Sequence, residues 1–442
     1  MSNNFDLFGS ELVLKDRRAL EPVARVGEAR LRRADRTQAI FESLSLEERL
    51  AADHDARVVW AVVERLDVSA FLALIKSREG GPGAPTIDPR LMIGVILLGV
   101  VEGIGSSRRL DKRCRTDDGY RWMLGGVTVN HHDLAEFKVT HEQRLDDLLT
   151  QLVARLVHVG AVEVKRISQD GVRIRASAGR GSYRRRVTLE KLLVQARQHV
   201  EELKRQSDEP VEESRKAAAR ERAARQKLER VEKALAGMVD AERVKQNHTG
   251  KPSAQQEPRV STTDPEARKM KIGTGAIVPA WNTQFATDTD SRAVVGVMVT
   301  SSGSDGQCLV PMREQVEKRT GQKVQEQLAD GGYFNKEAIE QSHAAGVVTF
   351  IPPVKEKNST TDPSLPKHGD KQGTIALRKR MVEEAARRIY RQRAATSETV
   401  NADVTCNRGL GRILVRGLSK VRCLALWSAI AYNIVHLGHH LT

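Results

Sequence analysis

Apolar positions over the first third of the chain recur with the period of an α-helix. Helical periodicity begins at Val58, after a polar, charged stretch, and stops at the breaker GGPGAP, residues 80–85. In TIDPRLMIGVILLGVVEG, Asp88 can cap a new helix and Pro89 can occupy its first turn without losing a hydrogen bond. A further helix is predicted over about residues 132–158. The pattern predicts a loosely ordered arm over residues 1–55 and an all-α region over residues 56–160.

A strongly basic helix, RRLDKRCR, is predicted directly after the capped one. The short turn GIGSS joins the two, and a tight turn before a basic helix is typical of a helix-turn-helix that binds DNA. A solvated face on an ordinary helical hairpin is an equally good interpretation. The candidate DNA contacts on this helix are Arg108, Arg109, Lys112 and Arg113.

From about Val162 the pattern changes from helical to alternating, which predicts a sheet. In VEVKRISQDGVRIRASA, alternate apolar positions predict a strand with one buried face, and this strand carries Asp170. In IVPAWNTQFATDTDSRAVVGVMVTS, the turn TDTDS separates the two strands of a predicted antiparallel hairpin. The segments KVQEQLAD, KEAIEQSHAA and GVVTFIPP predict strand, helix and parallel strand. A mixed α/β sheet flanked by helices is therefore expected over residues 161–186 and 260–442.

The sheet region is interrupted by a charged segment with helical periodicity. Between about Val187 and Val239, apolar residues step by three and four in two narrow seams on either side of QSDEPVEES. This spacing predicts an antiparallel coiled-coil hairpin, which with the polar linker after it forms an insertion over residues 187–259. Its expected role is spacing or dimerisation.

The stretch EQLADGGYF, residues 326–334, allows two interpretations of Asp330. Asp-Gly between extended segments is a strong signal for a hairpin turn. The residues after Asp330, however, lead into a helix, which places Asp330 at the carboxyl end of a strand, where open α/β sheets bind ligands. The local sequence leaves both interpretations open.

The net charge of the chain indicates the chemical class of its binding partner. Lys and Arg outnumber Asp and Glu by 72 to 57, so the net charge of +15 favours a polyanion. The four cysteines show no metal-ligand spacing, and the N-terminus lacks a signal-peptide pattern, so a reducing cytoplasm is expected. The longest apolar stretch, CLALWSAIAYNIVHLG, contains Asn433 and His436 and predicts a buried core helix rather than a membrane span.

The acids of the sheet region suggest metal-assisted phosphoryl chemistry. Such chemistry on DNA needs carboxylates from distant segments to converge on two Mg²⁺ ions. Asp170 lies on an early strand, Asp330 at a strand end, and further acids lie in the late helical segment. In NRGLGRILVRGLSKV, a basic residue every fourth position predicts a cationic stripe along a helix that can neutralise phosphates. The stripe consists of Arg408, Arg412, Arg416 and Lys420.

These pieces, taken in order, resemble the DDE transposases of bacterial insertion sequences, in the branch with a Tyr-x2-Arg then Glu signature. The resemblance covers about Asp55 to Leu437. The matching segments are SQDGVRIRASAG, STTDPEARKMK, AWNTQFATDTDSRAVVGV, LADGGYF, IYRQRAATSETVN and NRGLGRILVRGLSKVR, with IDPRLMIGVILLGVVEGIGSSRRL as the N-terminal region.

The resemblance implies a fold, an activity and a set of site residues. The implied fold is an RNase H-like mixed sheet, and the implied catalytic and metal-binding acids are Asp170, Asp330 and Glu398. Tyr390 and Arg393 match the signature and are implied DNA contacts. The implied cofactor is two Mg²⁺ ions, for which Mn²⁺ can substitute. The implied partners are double-stranded DNA, as terminal inverted repeats and target, and further copies of the chain in a dimer or larger synaptic complex, with no membrane.

Three rival interpretations remain at this stage. An RNase H-like nuclease would cut without strand transfer, an inactive or domesticated relative would bind DNA without catalysis, and a basic scaffold would account for the coiled coil alone. Asp403, Glu383 and Glu384 are competing candidates for the third acid, and Glu398 is favoured by its place after Tyr390 and Arg393.

Overall fold

The computed structural model describes residues 43–77, 84–205, 211–246, 257–353 and 362–442. Of the expected N-terminal arm, residues 1–42 lie outside the described part, as does the breaker centre at residues 78–83. The elements below belong to one compact unit, Ser45–Thr442.

The N-terminal region is all helical, as its periodicity predicts. Its helices are α1 (Leu46–Arg49), α2 (Asp55–Glu64), α3 (Ser69–Leu72), α4 (Pro89–Val101), α5 (Ser107–Thr116), α6 (Asp118–Leu124), α7 (His131–Thr140) and α8 (Glu142–His158). The Asp88 carboxylate caps α4 by accepting a hydrogen bond from the Arg90 N–H at 2.8 Å. Almost every residue of α4 is buried, so this helix forms the centre of the region.

The strands combine into one main sheet and one small one. They are β1 (Arg166–Arg175), β2 (Tyr183–Arg184), β3 (Val260–Ser261), β4 (Arg268–Lys271), β5 (Ile277–Asp288), β6 (Val294–Thr300), β7 (Glu326–Ala329) and β8 (Val348–Phe350). β1 lies in the middle of the main sheet, antiparallel to β5 and parallel to β7, and β8 extends the parallel half. β4 and β6 pair with β5, both antiparallel. This arrangement confirms the expected RNase H-like mixed sheet.

Helices cover both sides of this sheet. They are α11 (Leu309–Thr320), α12 (Lys336–Ala344), α13 (Gln372–Val382), α14 (Glu384–Arg393), α15 (Thr399–Cys406) and α16 (Leu418–Leu441), the intervening α9 and α10 being described below. β7, α12 and β8 form the predicted βαβ unit, since the two strands are parallel. Asn335 caps α12 as expected, by accepting hydrogen bonds from Glu337 and Ala338.

Helix α16 connects the helical region to the sheet. The Asn433 side chain both accepts from and donates to the backbone of Val294 in β6, at 2.8 and 2.9 Å. The Trp427 indole donates to the Lys138 carbonyl of α7 at 3.0 Å. In the described part of the chain, α16 is the one helix long and apolar enough to cross a membrane, yet 78% of its most apolar window is buried within the protein. The prediction of a core helix is confirmed, because these contacts occupy most of its surface.

The charged insertion is a helical hairpin, as predicted. Its arms are α9 (Arg186–Arg205) and α10 (Val211–Gln246). Arg186 pairs with Glu242 at 2.7 Å and Arg197 with Glu232 at 3.2 Å, so rising numbers on α9 meet falling numbers on α10. The arms are therefore antiparallel, and Leu189 packs against Met238 at their base. Part of the predicted break, residues 206–210, and the linker over residues 247–256 lie outside the described residues.

The predicted basic helix in NRGLGRILVRGLSKV is wrong. Residues 407–417 form turns and irregular chain between α15 and α16. Gly409 and Gly417 have φ angles of 73° and 89°, which lie in the left-handed region that a regular helix excludes. The four-residue spacing therefore aligns no stripe on one helix face.

Candidate active site

The pairing of β1 with β7 places two of the expected acids side by side. The parallel register pairs Gln169 with Ala329, so the next residues along the two strands are Asp170 and Asp330. β7 ends at Ala329, and Asp330 caps the short 3₁₀ turn Gly331–Tyr333 by accepting a hydrogen bond from the Gly332 N–H at 2.8 Å. The Asp-Gly pair thus makes a tight turn without making a hairpin, since both partners of β7 are parallel to it.

A π-helix brings Glu398 to the same face of the sheet. Ala394–Glu398 form a π-helical turn between α14 and α15, and such turns recur at functional sites because they re-aim side chains. The Ser397 hydroxyl hydrogen-bonds the Ser168 hydroxyl of β1. Ser168 and Asp170 are two residues apart on a strand, so their side chains share a face. The contact holds the end of the π-helix over the face that carries Asp170.

Arg393 stands between two of the acids. Its Nη1 donates to Asp170 Oδ2 at 3.1 Å, and its Nη2 donates to Glu398 Oε1 at 2.6 Å. The guanidinium also lies over the Tyr390 ring, 5.8 Å from its centre. Tyr390 itself packs against the core cluster beneath α12 and α13, so the aromatic ring supports the guanidinium from a fixed position. Tyr390, Arg393 and Glu398, which are near in sequence, meet Asp170 from a distant strand.

The electrostatics of Asp170 are those of a crowded acidic site. Burial raises the pKa of Asp170 to about 6, the Arg393 charge and the Gly171 N–H lower it, and the neighbouring Asp330 and Glu398 raise it. Asp170 therefore interacts electrostatically with both other acids. A cation is therefore favoured among them.

The donor set suits a hard cation. Among the described residues, no group of three or more His, Cys, Asp or Glu side chains is already arranged to hold a metal ion. Arg393 takes the hydrogen-bonding positions between Asp170 and Glu398. Three carboxylates fit Mg²⁺ or Mn²⁺ better than Zn²⁺, provided that Arg393 shifts. Glu398 is half exposed, which leaves it free to move.

The competing candidates for the third acid are used elsewhere or exposed. Asp403 is held by Arg408 at 2.8 Å and by Asn407 at 2.8 Å. Glu384 pairs with Arg391 at 2.5 Å on the exposed side of α14, and Glu383 is the exposed residue that precedes this helix. Of these acids, only Glu398 shares a partner with Asp170.

A buried polar network lies behind the site, and the sequence reasoning missed it. Asn282 and Gln284 of β5 are completely buried and donate to the Asp305 carboxylate at 2.6 and 2.8 Å. Tyr333 donates to the Gln284 carbonyl oxygen from the turn that follows Asp330. The available signal was the alternation of Asn and Gln in WNTQF, because buried amides in an apolar strand require partners.

Gly171, directly after Asp170, is required by the same network. A Cβ at this position would stand 2.8 Å from Asn282 Oδ1 and closer still to Gln284 Nε2. Both distances are shorter than real Cβ contacts allow. The side chains of β5 therefore fill the space that any larger residue at position 171 would need.

The expected DNA contacts fall into two groups. Arg113 pairs with Glu102 and Asp117, and Arg408 pairs with Asp403 and donates to the Val101 carbonyl, so both serve internal contacts. Arg416 donates to the Ser177 carbonyl at 3.1 Å. Arg113 and Arg416 are nevertheless exposed, and so are the remaining basic members, Arg108, Arg109, Lys112, Arg412 and Lys420.

Two exposed members meet at one cavity of about 330 Å³ between the α4–α5 turn and residues 408–415. Arg108 lines it from the helical region and Arg412 from the irregular segment, and Lys138 also lines it. Burial lowers the pKa of Lys138 to about 8, and its Nζ donates to the Gly105 carbonyl at 3.1 Å. No Asp or Glu is among the described residues that line the cavity. Its surface is therefore suited to an anion.

Comparison with known families adds two matches, in the order of the chain. The profile of the Transposase domain (DUF772) matches residues 44–139, and that of the Transposase DDE domain matches residues 232–434. The chain belongs to the DDE transposases of insertion elements. The second match contains Asp330 and Glu398, whereas Asp170 precedes it and is linked to them by the sheet register and by Arg393. Neither a curated protein nor a solved structure is similar enough to this transposase to give a match.

Proposed function

We propose that this transposase cuts DNA at the ends of its element and joins the freed 3′-OH ends to target DNA. The observation that carries the proposal is that Arg393 binds both Asp170 and Glu398, while the sheet register sets Asp330 beside Asp170. Acids from three segments of the chain thus lie near one another, and two of them share one cation. The net charge of +15 supports a nucleic acid as substrate.

Asp170, Asp330 and Glu398 are the residues that would hold the metal, as two Mg²⁺ ions or as Mn²⁺ in their place. Metal ions held there would supply activation of the attacking oxygen and stabilisation of the leaving oxygen of a phosphodiester. Both cutting and joining are assigned to direct attack by water or 3′-OH, because the three carboxylates are suited to hold metal ions that would activate such an oxygen.

Arg393 and Tyr390 are assigned to the phosphate beside the reacting bond. A phosphodiester presents two oxygens to the guanidinium, as Asp170 and Glu398 do together. A DNA phosphate can therefore replace the two acids as the partner of Arg393 when the acids bind metal. The Tyr390 ring limits the directions in which the guanidinium can move. Bound DNA would thus hold Arg393 at a phosphate and leave the carboxylates to the metal ions.

The exposed basic residues are assigned to DNA backbone outside the active site. Arg108 and Arg412 would bind a backbone phosphate at the cavity that both line. Arg109, Lys112 and Lys420 would bind neighbouring phosphates of the same DNA. Because two element ends must be handled together, a dimer or larger synaptic complex is expected, with the α9–α10 hairpin as a candidate interface. A bacterial cytoplasm, at the nucleoid, is the expected location.

The test uses purified full-length protein, paired DNA ends taken from the sequences that flank the gene, and a supercoiled target plasmid with Mg²⁺. The unmodified protein is expected to nick the ends and to join them to the plasmid. Asp330→Asn and Glu398→Gln should each lower both steps by more than about 100-fold, because each removes a charged ligand oxygen. Glu384→Gln, an exposed acid on the neighbouring helix, is the matched control and should leave both steps unchanged.

The outcomes separate the rival activities. Cutting without joining would indicate a nuclease, and DNA binding without cutting would indicate an inactive relative. Equal activity of Asp330→Asn and the unmodified protein would contradict the proposed site.

A further inference from the structure

Asp305 is an almost buried acid in the loop between β6 and α11, and the chemistry assigned above does not use it. Its side chain is 14% exposed. Asp305 Oδ1 accepts hydrogen bonds from Asn282 Nδ2 at 2.6 Å and from Gln284 Nε2 at 2.8 Å. Its other oxygen, Oδ2, accepts from Arg173 at 3.4 Å. Each carboxylate oxygen therefore has a protein donor.

The contacts continue from Gln284 to the residues that flank two of the acids. Gln284 Oε1 accepts from the Tyr333 hydroxyl and from Gln169 Nε2, the latter at 3.3 Å. Gln169 directly precedes Asp170, and Tyr333 ends the turn that Asp330 caps. The Gln284 side-chain amide of β5 thus links β1 to the turn after β7 through hydrogen bonds.

This network lies on the face of the sheet opposite to the Asp170 carboxylate. Gln284 pairs with Gly171 and Asn282 with Arg173, and paired residues share a face. Residues 169, 171 and 173 alternate with Asp170 along the strand, so they face the other way. Asp170 meets Arg393 on the face of α14, whereas Gln169 donates to the Cys308 carbonyl at the start of α11.

Asp305 also touches the turn at Asp330. A Cβ at Gly332 would stand 3.0 Å from Asp330 Oδ1 and 3.3 Å from Asp305 Oδ2, so the two carboxylates border the same glycine. Gly306, beside Asp305, approaches Asn335 closely enough that a Cβ there would stand 3.1 Å from the Asn335 Cβ. The loop of Asp305 and the loop of Asp330 are therefore packed on each other.

We propose that Asp305 is a positioning residue for the transposase reaction. Through Asn282, Gln284 and Tyr333 it fixes the backbone on either side of Asp170 and Asp330, and so sets the separation of these two carboxylates. This inference rests on the proposed function of those acids. Asp305 is not assigned as a fourth metal ligand, because its oxygens are occupied by donors and its network faces away from Asp170.

Asp305 can hold this network because its carboxylate accepts hydrogen bonds from buried donors. Asn282 and Gln284 each present amide hydrogens to one carboxylate oxygen, and a carboxylate accepts without donating. An Asn at position 305 would place either an N–H₂ group or a single amide oxygen there, so buried donors would lose a partner or meet another donor. The Gln284 side chain would then rotate, and its hydrogen bonds with Tyr333 and Gln169 would weaken.

The experiment measures Mn²⁺ binding by electron paramagnetic resonance, together with kcat and KM for cleavage of the element ends. Asp305→Asn is expected to weaken Mn²⁺ binding about 10-fold and to lower kcat about 10- to 100-fold, with KM for DNA within about 2-fold of the unmodified value. Tyr333→Phe removes one hydroxyl and should give a smaller change in the same direction. Asp290→Asn, an exposed acid in the β5–β6 turn, is the matched control and should change neither.

Each outcome decides the proposal. Unmodified Mn²⁺ affinity and kcat in folded Asp305→Asn would overturn it, and complete loss of Mn²⁺ binding, as expected for Asp330→Asn, would make Asp305 a ligand instead. If Asp305→Asn does not fold, Tyr333→Phe decides by the same two readouts. Failure of the proposed function is distinct, because the unmodified protein would then neither bind Mn²⁺ nor cut DNA, which overturns both.

Discussion

Arg393 donates a hydrogen bond to the Asp170 carboxylate at 3.1 Å, across 223 positions of the chain. The same guanidinium reaches Glu398 at 2.6 Å. A positive charge thus lies where the proposed metal-binding acids face one another. Arg393 and a metal ion compete for the same oxygens, and a DNA phosphate is the natural alternative partner for the arginine.

Replacing Arg393 therefore has opposite effects on two measurements. Arg393→Ala should bind Mn²⁺ about 3- to 10-fold more tightly in the absence of DNA, because the acids lose their internal cation. Cleavage of the element ends should fall about 10- to 100-fold, because the phosphate loses its partner. Calorimetric titration with Mn²⁺ and a cleavage assay measure the two.

The matched control is Arg391→Ala, which removes an arginine of the same helix that pairs with the exposed Glu384. It should change neither quantity by more than about 2-fold. Weaker Mn²⁺ binding in Arg393→Ala would contradict the competition, since it would mean that the arginine helps to hold the site open for metal.

Gly171→Ala should damage both the fold and the site. The added methyl would collide with Asn282 and Gln284, so the free energy of unfolding should fall by about 1–3 kcal/mol. Cleavage should fall at least about 10-fold even where the protein stays folded, because Asp170 is the next residue. Chemical denaturation and the cleavage assay measure these changes.

Gly179→Ala is the control for this substitution, since a Cβ there meets nothing within 4 Å and its φ of −85° suits alanine. Its stability should match or slightly exceed that of the unmodified protein. Equal stability of Gly171→Ala and Gly179→Ala would contradict the tight packing of β1 on β5.

Much of the fold is readable from local patterns. The capped start of α4 at Asp88 and the strand-helix-strand order around Asp330 each depend on near neighbours, and the structure confirms both. The order of elements after Asp330 was enough to disfavour a hairpin. Periodicity also identified the α9–α10 hairpin, because each of its seams is continuous in sequence.

The parts of the fold and of the candidate site that local patterns do not predict depend on contacts between distant segments. Spacing in NRGLGRILVRGLSKV suggested a helix, but Gly409 and Gly417 adopt left-handed conformations and the chain there is irregular. No local pattern indicates the π-helical turn at Glu398, since an extra residue in a helix turn leaves the composition unchanged. The sequence does not distinguish Asp305 from other loop acids, because its partners Asn282 and Gln284 are identified only by the sheet.

Asp264 should make the protein less stable as the pH rises. It is completely buried, and burial raises its pKa from 3.8 to about 6, while the hydrogen bond from the Gly417 N–H opposes that shift. Between these two values the unfolded chain has released the proton and the folded chain has kept it. The folded state is therefore favoured at low pH, and this contribution is lost as the pH rises to about 6.

The loss attributable to Asp264 should be about 2 kcal/mol between pH 4.5 and pH 7. Asp264→Asn removes the titrating group, so its free energy of unfolding should fall less over this range than that of the unmodified protein. Urea denaturation at both pH values measures the difference, and Asp290→Asn serves as the exposed control. Parallel pH profiles for Asp264→Asn and the unmodified protein would rule this account out.

Asp170, Asp330 and Glu398 are proposed to surround one metal site. Fe²⁺ in place of Mg²⁺, with ascorbate and peroxide, generates radicals that cut the polypeptide near the bound ion. Cuts are expected close to residues 170, 330 and 398 together, and excess Mg²⁺ should suppress all three. Cuts at only one of these places, or cuts that Mg²⁺ does not suppress, would contradict the shared site.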